Sequence, residues 1–76
     1  MKARELRQLE TKELLERLEK AREELFRLRL SWSNGSLEDP NRIRFKRHEI
    51  ARILTILRER ELAMELVRKE EQGNAK

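Results

Sequence analysis

From Leu14 to Trp32 the apolar side chains return at alternating spacings of four and three: Leu14, Leu18, Ala21, Leu25, Leu28 and Trp32. That is the seam of a helix that presents one stripe to a partner helix. Leu15, Phe26 and Leu30 widen the stripe, and Trp32 is expected to cap it near the chain reversal. Thr11 reads as the N-cap, with Glu13 and Glu16 in the first turns, where negative charge suits the helix dipole. Asn34-Gly35 reads as the stop, because both residues tolerate left-handed backbone. The pattern predicts a helix over 11–34.

A second stripe follows. Ile43, Ile50 and Leu57 repeat every seven residues, with Ile53, Leu54 and Met64 on nearby positions. Asp39-Pro40 reads as an N-cap followed by proline at the first helical position, where its missing N–H costs nothing. The predicted helix runs over 40–70, and the connection over 35–39 is short enough to force the two helices back on one another. The fold class is all-α: one domain, an antiparallel two-helix hairpin with a short N-terminal helical turn over 1–10 and a flexible tail over 71–76. Its expected core is Leu14, Leu18, Leu25, Leu28, Ile43, Ile50, Ile53 and Leu57. The second helix would be about 45 Å long against about 35 Å for the first. Leu62, Met64, Leu66 and Val67 should therefore overhang the hairpin unless the N-terminal turn covers them. That turn, with Leu6 and Leu9, reads as either a fraying terminus or a contact with a partner.

Charge divides the two helices. Residues 1–30 hold nine basic and seven acidic side chains, interleaved. Glu13 with Arg17, Glu16 with Lys20 and Glu23 with Arg27 have the favourable i, i+4 order of a solvated helix surface. Residues 42–60 instead hold seven basic against two acidic, a net +5 where the whole chain carries +4. Between Arg42 and Arg52 there is almost no acid to pair with. Like charges at helical spacing repel, so such a cluster makes sense when phosphates neutralise it. Phe45 lies among these cations and points away from the Ile43–Ile50 seam. It is either a solvent-exposed apolar residue or a contact to a base, a sugar or a neighbouring protein.

Composition narrows the classes. A chain of 76 residues that is 45% charged and 37% apolar, with Trp32, Phe26 and Phe45 as its aromatics, cannot bury a large core. It has no cysteine, hence no disulfide and no thiolate metal site. His48 is the sole histidine, a poor metal candidate and, without a cleft, a poor acid–base catalyst; it reads as a polar surface residue that donates to RNA. No catalytic residue, metal ligand, cofactor or small-molecule substrate is expected. No apolar run reaches the length of a membrane span, and the first ten residues lack a secretory apolar core. The expected location is cytoplasmic. A pI near 10.0 favours a polyanionic partner.

Several segments resemble the bacterial large-subunit ribosomal protein L twenty-nine family. Met1-Lys2-Ala3 with Glu5-Leu6-Arg7 is similar to the family's start. Glu24-Leu25-Phe26-Arg27-Leu28-Arg29 resembles the end of its first long helix, and Gly35-Ser36-Leu37 its turn. The densest likeness is Arg47-His48-Glu49-Ile50-Ala51-Arg52-Ile53-Leu54-Thr55-Ile56-Leu57, followed by Glu59. The likeness covers about residues 1–62. His48 departs from the family's usual basic residue, which would leave a phosphate contact there either pH-sensitive or lost, and Ser36 replaces a usual glutamine. Residues 63–76 extend past the common end. The resemblance implies a structural component of the large ribosomal subunit, packed on large-subunit ribosomal RNA near the mouth of the polypeptide exit tunnel. It also implies a neighbouring large-subunit ribosomal protein there, and a share in the platform where nascent-chain factors such as a chaperone or the signal recognition particle dock. On this reading Arg42, Arg44, Lys46, Arg47, His48 and Arg52 face RNA, assisted by Lys2, Arg7 and Arg29. Two rival readings remain: a self-associating coiled-coil protein, supported by the heptad from Leu14 to Trp32, and an amphipathic helix on a membrane surface.

Overall fold

A computed structural model describes residues 2–36 and 39–74. Three helices follow in order: α1 (Ala3–Leu6), α2 (Thr11–Ser33) and α3 (Asn41–Asn74). There is no strand among the described residues. The long helices pack against each other as an antiparallel hairpin: Lys46 meets Glu24 near the reversal, whereas Arg60 meets Thr11 at the far end. At about 1.5 Å per residue α2 spans about 34 Å and α3 about 51 Å, in a rod of 62 × 21 × 17 Å.

The reversal closes α2 with a complete Schellman motif. Ser36 N–H donates to Ser31 O at 2.9 Å and Gly35 N–H to Trp32 O at 3.1 Å, with Gly35 at φ 72°. Both hydroxyls nearby add to it: Ser36 Oγ donates to Ser31 O and Ser33 Oγ to Leu30 O, each at 3.2 Å. Asp39 caps the start of α3 as expected, its Oδ1 accepting from Asn41 N–H at 3.0 Å. Leu37 and Glu38 of the expected connection lie outside the described residues, as do Met1, Ala75 and Lys76.

Thr11 is not the N-cap. Glu10 holds that position without a side-chain hydrogen bond, and the Thr11 hydroxyl instead accepts from Arg60 Nη1 at 3.1 Å. The stretch expected as a tail begins as helix: α3 runs on through Gly73 to Asn74, because no residue before that point stops it.

The core is a cluster of Leu6, Leu14, Leu18, Ile53 and Ile56, with Leu9, Ile50 and Leu57 packed at its edge. Ala21 and Leu25 continue the seam toward the reversal. Leu28 and Ile43 are half-buried. The N-terminal turn packs within the fold: Leu6 is fully buried in one cluster with Ile53 and Ile56, and α1 contacts α3. Ile56 falls outside the seven-residue repeat of Ile43, Ile50 and Leu57, yet it is buried in the same cluster as Leu6 and Leu14. Leu54 and Met64, expected near the buried face, are exposed, and so is Trp32, at 57%. Leu15, Phe26 and Leu30, expected to widen the stripe, are exposed as well, because a single partner helix covers only a narrow strip. Beyond Arg60, α3 projects past the start of α2; α1 lies beside Ile53 and Ile56 and leaves Leu62, Met64, Leu66 and Val67 exposed.

Candidate nucleic-acid interface

On α3 the seam toward α2 reads Lys46, Ile50, Ile53, Leu57 and Arg60, at spacings of four, three, four and three. Three apolar residues are flanked by a cation at each end, and both cations are engaged within the fold. Lys46 Nζ lies 2.6 Å from Glu24 Oε2 on α2 and 2.8 Å from Glu49 Oε2 one turn along α3. The hydrogen bond from Lys46 holds the Glu24 carboxyl below the ordinary carboxylate range, and the bonds to Glu24 and then Glu49 raise the Lys46 ammonium above the ordinary lysine range. Lys46 was expected to face phosphate; it is instead a half-buried bridge between helices, already neutralised by two carboxylates. The sequence pattern hides this because Glu24 comes from the other helix.

Arg60 at the opposite end donates to three acceptors: Thr11 Oγ1 at 3.1 Å, Arg7 O at 3.1 Å and Leu9 O at 2.6 Å. The planar guanidinium thus closes the connection between α1 and α2 onto α3. Its role shows only when the chain is folded, since its acceptors are mostly backbone carbonyls about fifty residues away.

The other expected site residues divide by position. Arg42, Arg44, Arg47 and Arg52 are exposed, and none has a carboxylate within 4.0 Å among the described residues. They do not share one face. Arg42 and Arg52 line a groove between α2 and α3, with Phe45 and His48 beside them and Arg27, Leu28 and Ser31 on the facing wall. Arg44 and Arg47 flank a second depression with Pro40, Ile43 and Ala51, and His48 borders both. Arg29 stands with Trp32, Pro40 and Ile43 on a third surface at the reversal. Lys2 is exposed at the other end of the rod, where Arg7 pairs with Glu59 at 3.4 Å. Glu59 lies twelve residues beyond Arg47, about 18 Å along the helix axis, so Lys2 and Arg7 do not join the arginines near the reversal. Of the ion pairs expected along α2, Glu23 with Arg27 forms, at 3.6 Å; the other two do not come within bonding range.

What this surface can do is bind anions over a broad area. No group of three or more His, Cys, Asp or Glu residues is placed to hold a metal ion among the described residues. No described helix is long and apolar enough to cross a membrane. The basic character ends at Arg60: residues 61–74 carry Glu61, Glu65, Glu70 and Glu71 against Arg68 and Lys69.

A family model described as "Ribosomal L29 protein" matches residues 4–60. Three curated relatives bear the name "Large ribosomal subunit protein uL29". The chain is 52% identical to that of Carboxydothermus hydrogenoformans over 91% of its own length and 100% of the relative's. It is 55% identical to that of a Thermoanaerobacter species over 84% and 93%. It is 53% identical to that of Mycobacterium leprae over 79% and 75%.

Proposed function

Because the chain belongs to the ribosomal L29 protein family, we propose that it binds large-subunit ribosomal RNA through Arg42, Arg44, Arg47 and Arg52 of α3. The family is structural and not enzymatic, and this chain is a constituent of the large subunit of the cytoplasmic ribosome. One observation carries the RNA assignment. Within the matched residues 4–60, the fold engages Lys46 and Arg60 internally and leaves those four arginines exposed and unpaired among the described residues. Exposed guanidiniums without counter-charges are what a phosphate backbone neutralises, each contact releasing counterions. His48, between the two arginine depressions, supplies a further donor.

The location belongs to the same proposal. The likeness to the family supports a place near the mouth of the polypeptide exit tunnel, beside a neighbouring large-subunit ribosomal protein and within reach of nascent-chain factors. The coiled-coil alternative loses its support, since the Leu14–Leu25 stripe is buried by this chain's own α3 and α1.

The test is the salt dependence of binding to isolated large-subunit ribosomal RNA. Arg47→Gln and Arg52→Gln should each weaken binding and lower the slope of log K against log salt by about 1. Unchanged affinity and slope in both variants would remove the clamp assignment. Crosslinking from Arg44-side positions in intact large subunits tests the location, and crosslinks remote from the tunnel mouth would overturn it.

A further inference from the structure

The groove beside the Lys46 bridge holds more than charge. Phe45 stands on its rim with 67% of its surface exposed, more than any other large apolar side chain described. Arg42 precedes it by three residues, His48 follows by three and Arg52 by seven, so all four lie along one side of α3. Arg27, Leu28 and Ser31 of α2 form the facing wall, and the open space between measures about 800 Å³. Four cations line it, Arg27, Arg42, Lys46 and Arg52, against two carboxylates, Glu24 and Glu49. Both carboxylates are bound by Lys46 and do not stand free to repel an anion.

We propose that this groove accepts one unpaired nucleotide of large-subunit ribosomal RNA, its base laid on the Phe45 ring and its phosphates held by Arg42 and Arg52. The proposal rests on the RNA reading given above and names the form of RNA that the groove selects. An aromatic face amid guanidiniums offers a base what it needs, a stacking platform with charge for the flanking backbone. A base inside an RNA duplex has both faces covered by its neighbours, so only an unstacked nucleotide can lie on the ring. An apolar protein side chain on Phe45 would instead desolvate Arg42 and Arg52 without supplying a counter-charge, which is unfavourable. Exposure of Phe45 also means that the hairpin does not need it for its own packing.

The experiment uses the full chain and isolated large-subunit ribosomal RNA, with Phe45→Leu and Phe45→Trp beside the unsubstituted protein. Loss of the stack should weaken binding about tenfold in Phe45→Leu, with the salt slope unchanged because no phosphate contact is removed. Phe45→Trp should retain the affinity, since it keeps the aromatic face. Thermal melts of both variants should match the parent. A photo-crosslinker at position 45 in assembled large subunits should then mark an unpaired nucleotide. Unaltered affinity in Phe45→Leu, a crosslink to a base-paired nucleotide or a crosslink to protein would each overturn the proposal. Failure here is separable from failure of the RNA reading. In the first case the parent chain still binds with an arginine-dependent slope; in the second neither the parent affinity nor the Arg47→Gln and Arg52→Gln slopes respond.

Discussion

Lys46 of α3 bridges to Glu24 of α2 across 2.6 Å at the end of the seam nearest the reversal. Glu49 completes the bridge from the same helix as Lys46. The lysine is therefore engaged within the hairpin, although it stands in the most basic part of the sequence. Lys46→Met should lower stability by about 0.5–1 kcal/mol, because the pair is only partly withdrawn from water. The urea midpoint reads this loss. The same variant should leave the salt slope of RNA binding near the parent value, in contrast to Arg52→Gln. A slope lowered as far as in Arg52→Gln would return Lys46 to the phosphate-facing set.

The bridge also sets a pH response. The Glu24 carboxyl is depressed in the folded chain, so its stabilisation is present above the unfolded value and is lost as pH falls through the lower folded one. Lys46 is raised, so its share is present below the unfolded lysine value and is lost as pH rises through the higher folded one. Between about pH 5 and pH 10 the contribution should be flat. Below about pH 4 the parent should lose stability faster than Glu24→Gln, which has no carboxyl to protonate at that position. Parallel acid profiles for the two proteins would show that the depressed value has no energetic consequence.

At the far end, Arg60 holds the carbonyls of Arg7 and Leu9. Arg60→Ala should cost about 1–3 kcal/mol, since it removes three charge-assisted bonds, the one to Leu9 O being partly buried. The damage should be local. Amide hydrogen exchange of α1 and the segment up to Thr11 should accelerate, while α2 near Leu25 stays protected. Arg60→Lys should restore little, because one ammonium cannot span the three acceptors that the guanidinium fork reaches. Uniform acceleration across the hairpin would contradict a local clamp.

Much of this arrangement could be read from periodicity alone. The spacing from Leu14 to Leu28 located α2, Asn34-Gly35 marked its stop, and Asp39-Pro40 marked the start of α3. All of these signals are local in the chain. What escaped the pattern depended on elements meeting from a distance. Leu6 is buried because α1 folds onto α3, and no repeat within either segment announces that contact. The structural roles of Lys46 and Arg60 could not be read from the pattern, because their acceptors, Glu24, Thr11 and two carbonyls, come from distant parts of the chain. Trp32, Leu15, Phe26 and Leu30 fit the stripe, but one partner helix is too narrow to cover them. The basic cluster was visible as composition; its division into separate surfaces, with Arg42 and Arg52 apart from Arg44 and Arg47, required the folded geometry.

Leu6 gives the sharpest test of the N-terminal segment. Its side chain has no exposed surface and sits against Leu14, Leu18, Ile53 and Ile56. Leu6→Ala should lower stability by about 2–5 kcal/mol, the usual range for deleting a buried leucine. For a domain of this size that is a large share of the total. A loss under about 0.5 kcal/mol would mean that α1 is detached in solution and that the core ends at Leu14.

Gly35 is held at φ 72° by the Schellman motif, a conformation in which a side chain is strained. A Cβ placed there meets no atom within 4 Å, so backbone strain alone decides the outcome. Gly35→Ala should destabilise the hairpin by about 1 kcal/mol, and Gly35→Asn by less, because asparagine tolerates left-handed backbone. The carbonyls that the motif satisfies, Ser31 and Trp32, lie in the last turn of α2 before the reversal. Loss of the motif would let that end of α2 fray and would shift Arg29 and Trp32 relative to Ile43. The Arg47→Gln slope effect should nevertheless persist in Gly35→Ala, since Arg47 is positioned by α3 alone. Chemical denaturation of the pair, read beside RNA binding, separates the two: an equal drop for Ala and Asn would show that glycine is required there for a reason other than its φ.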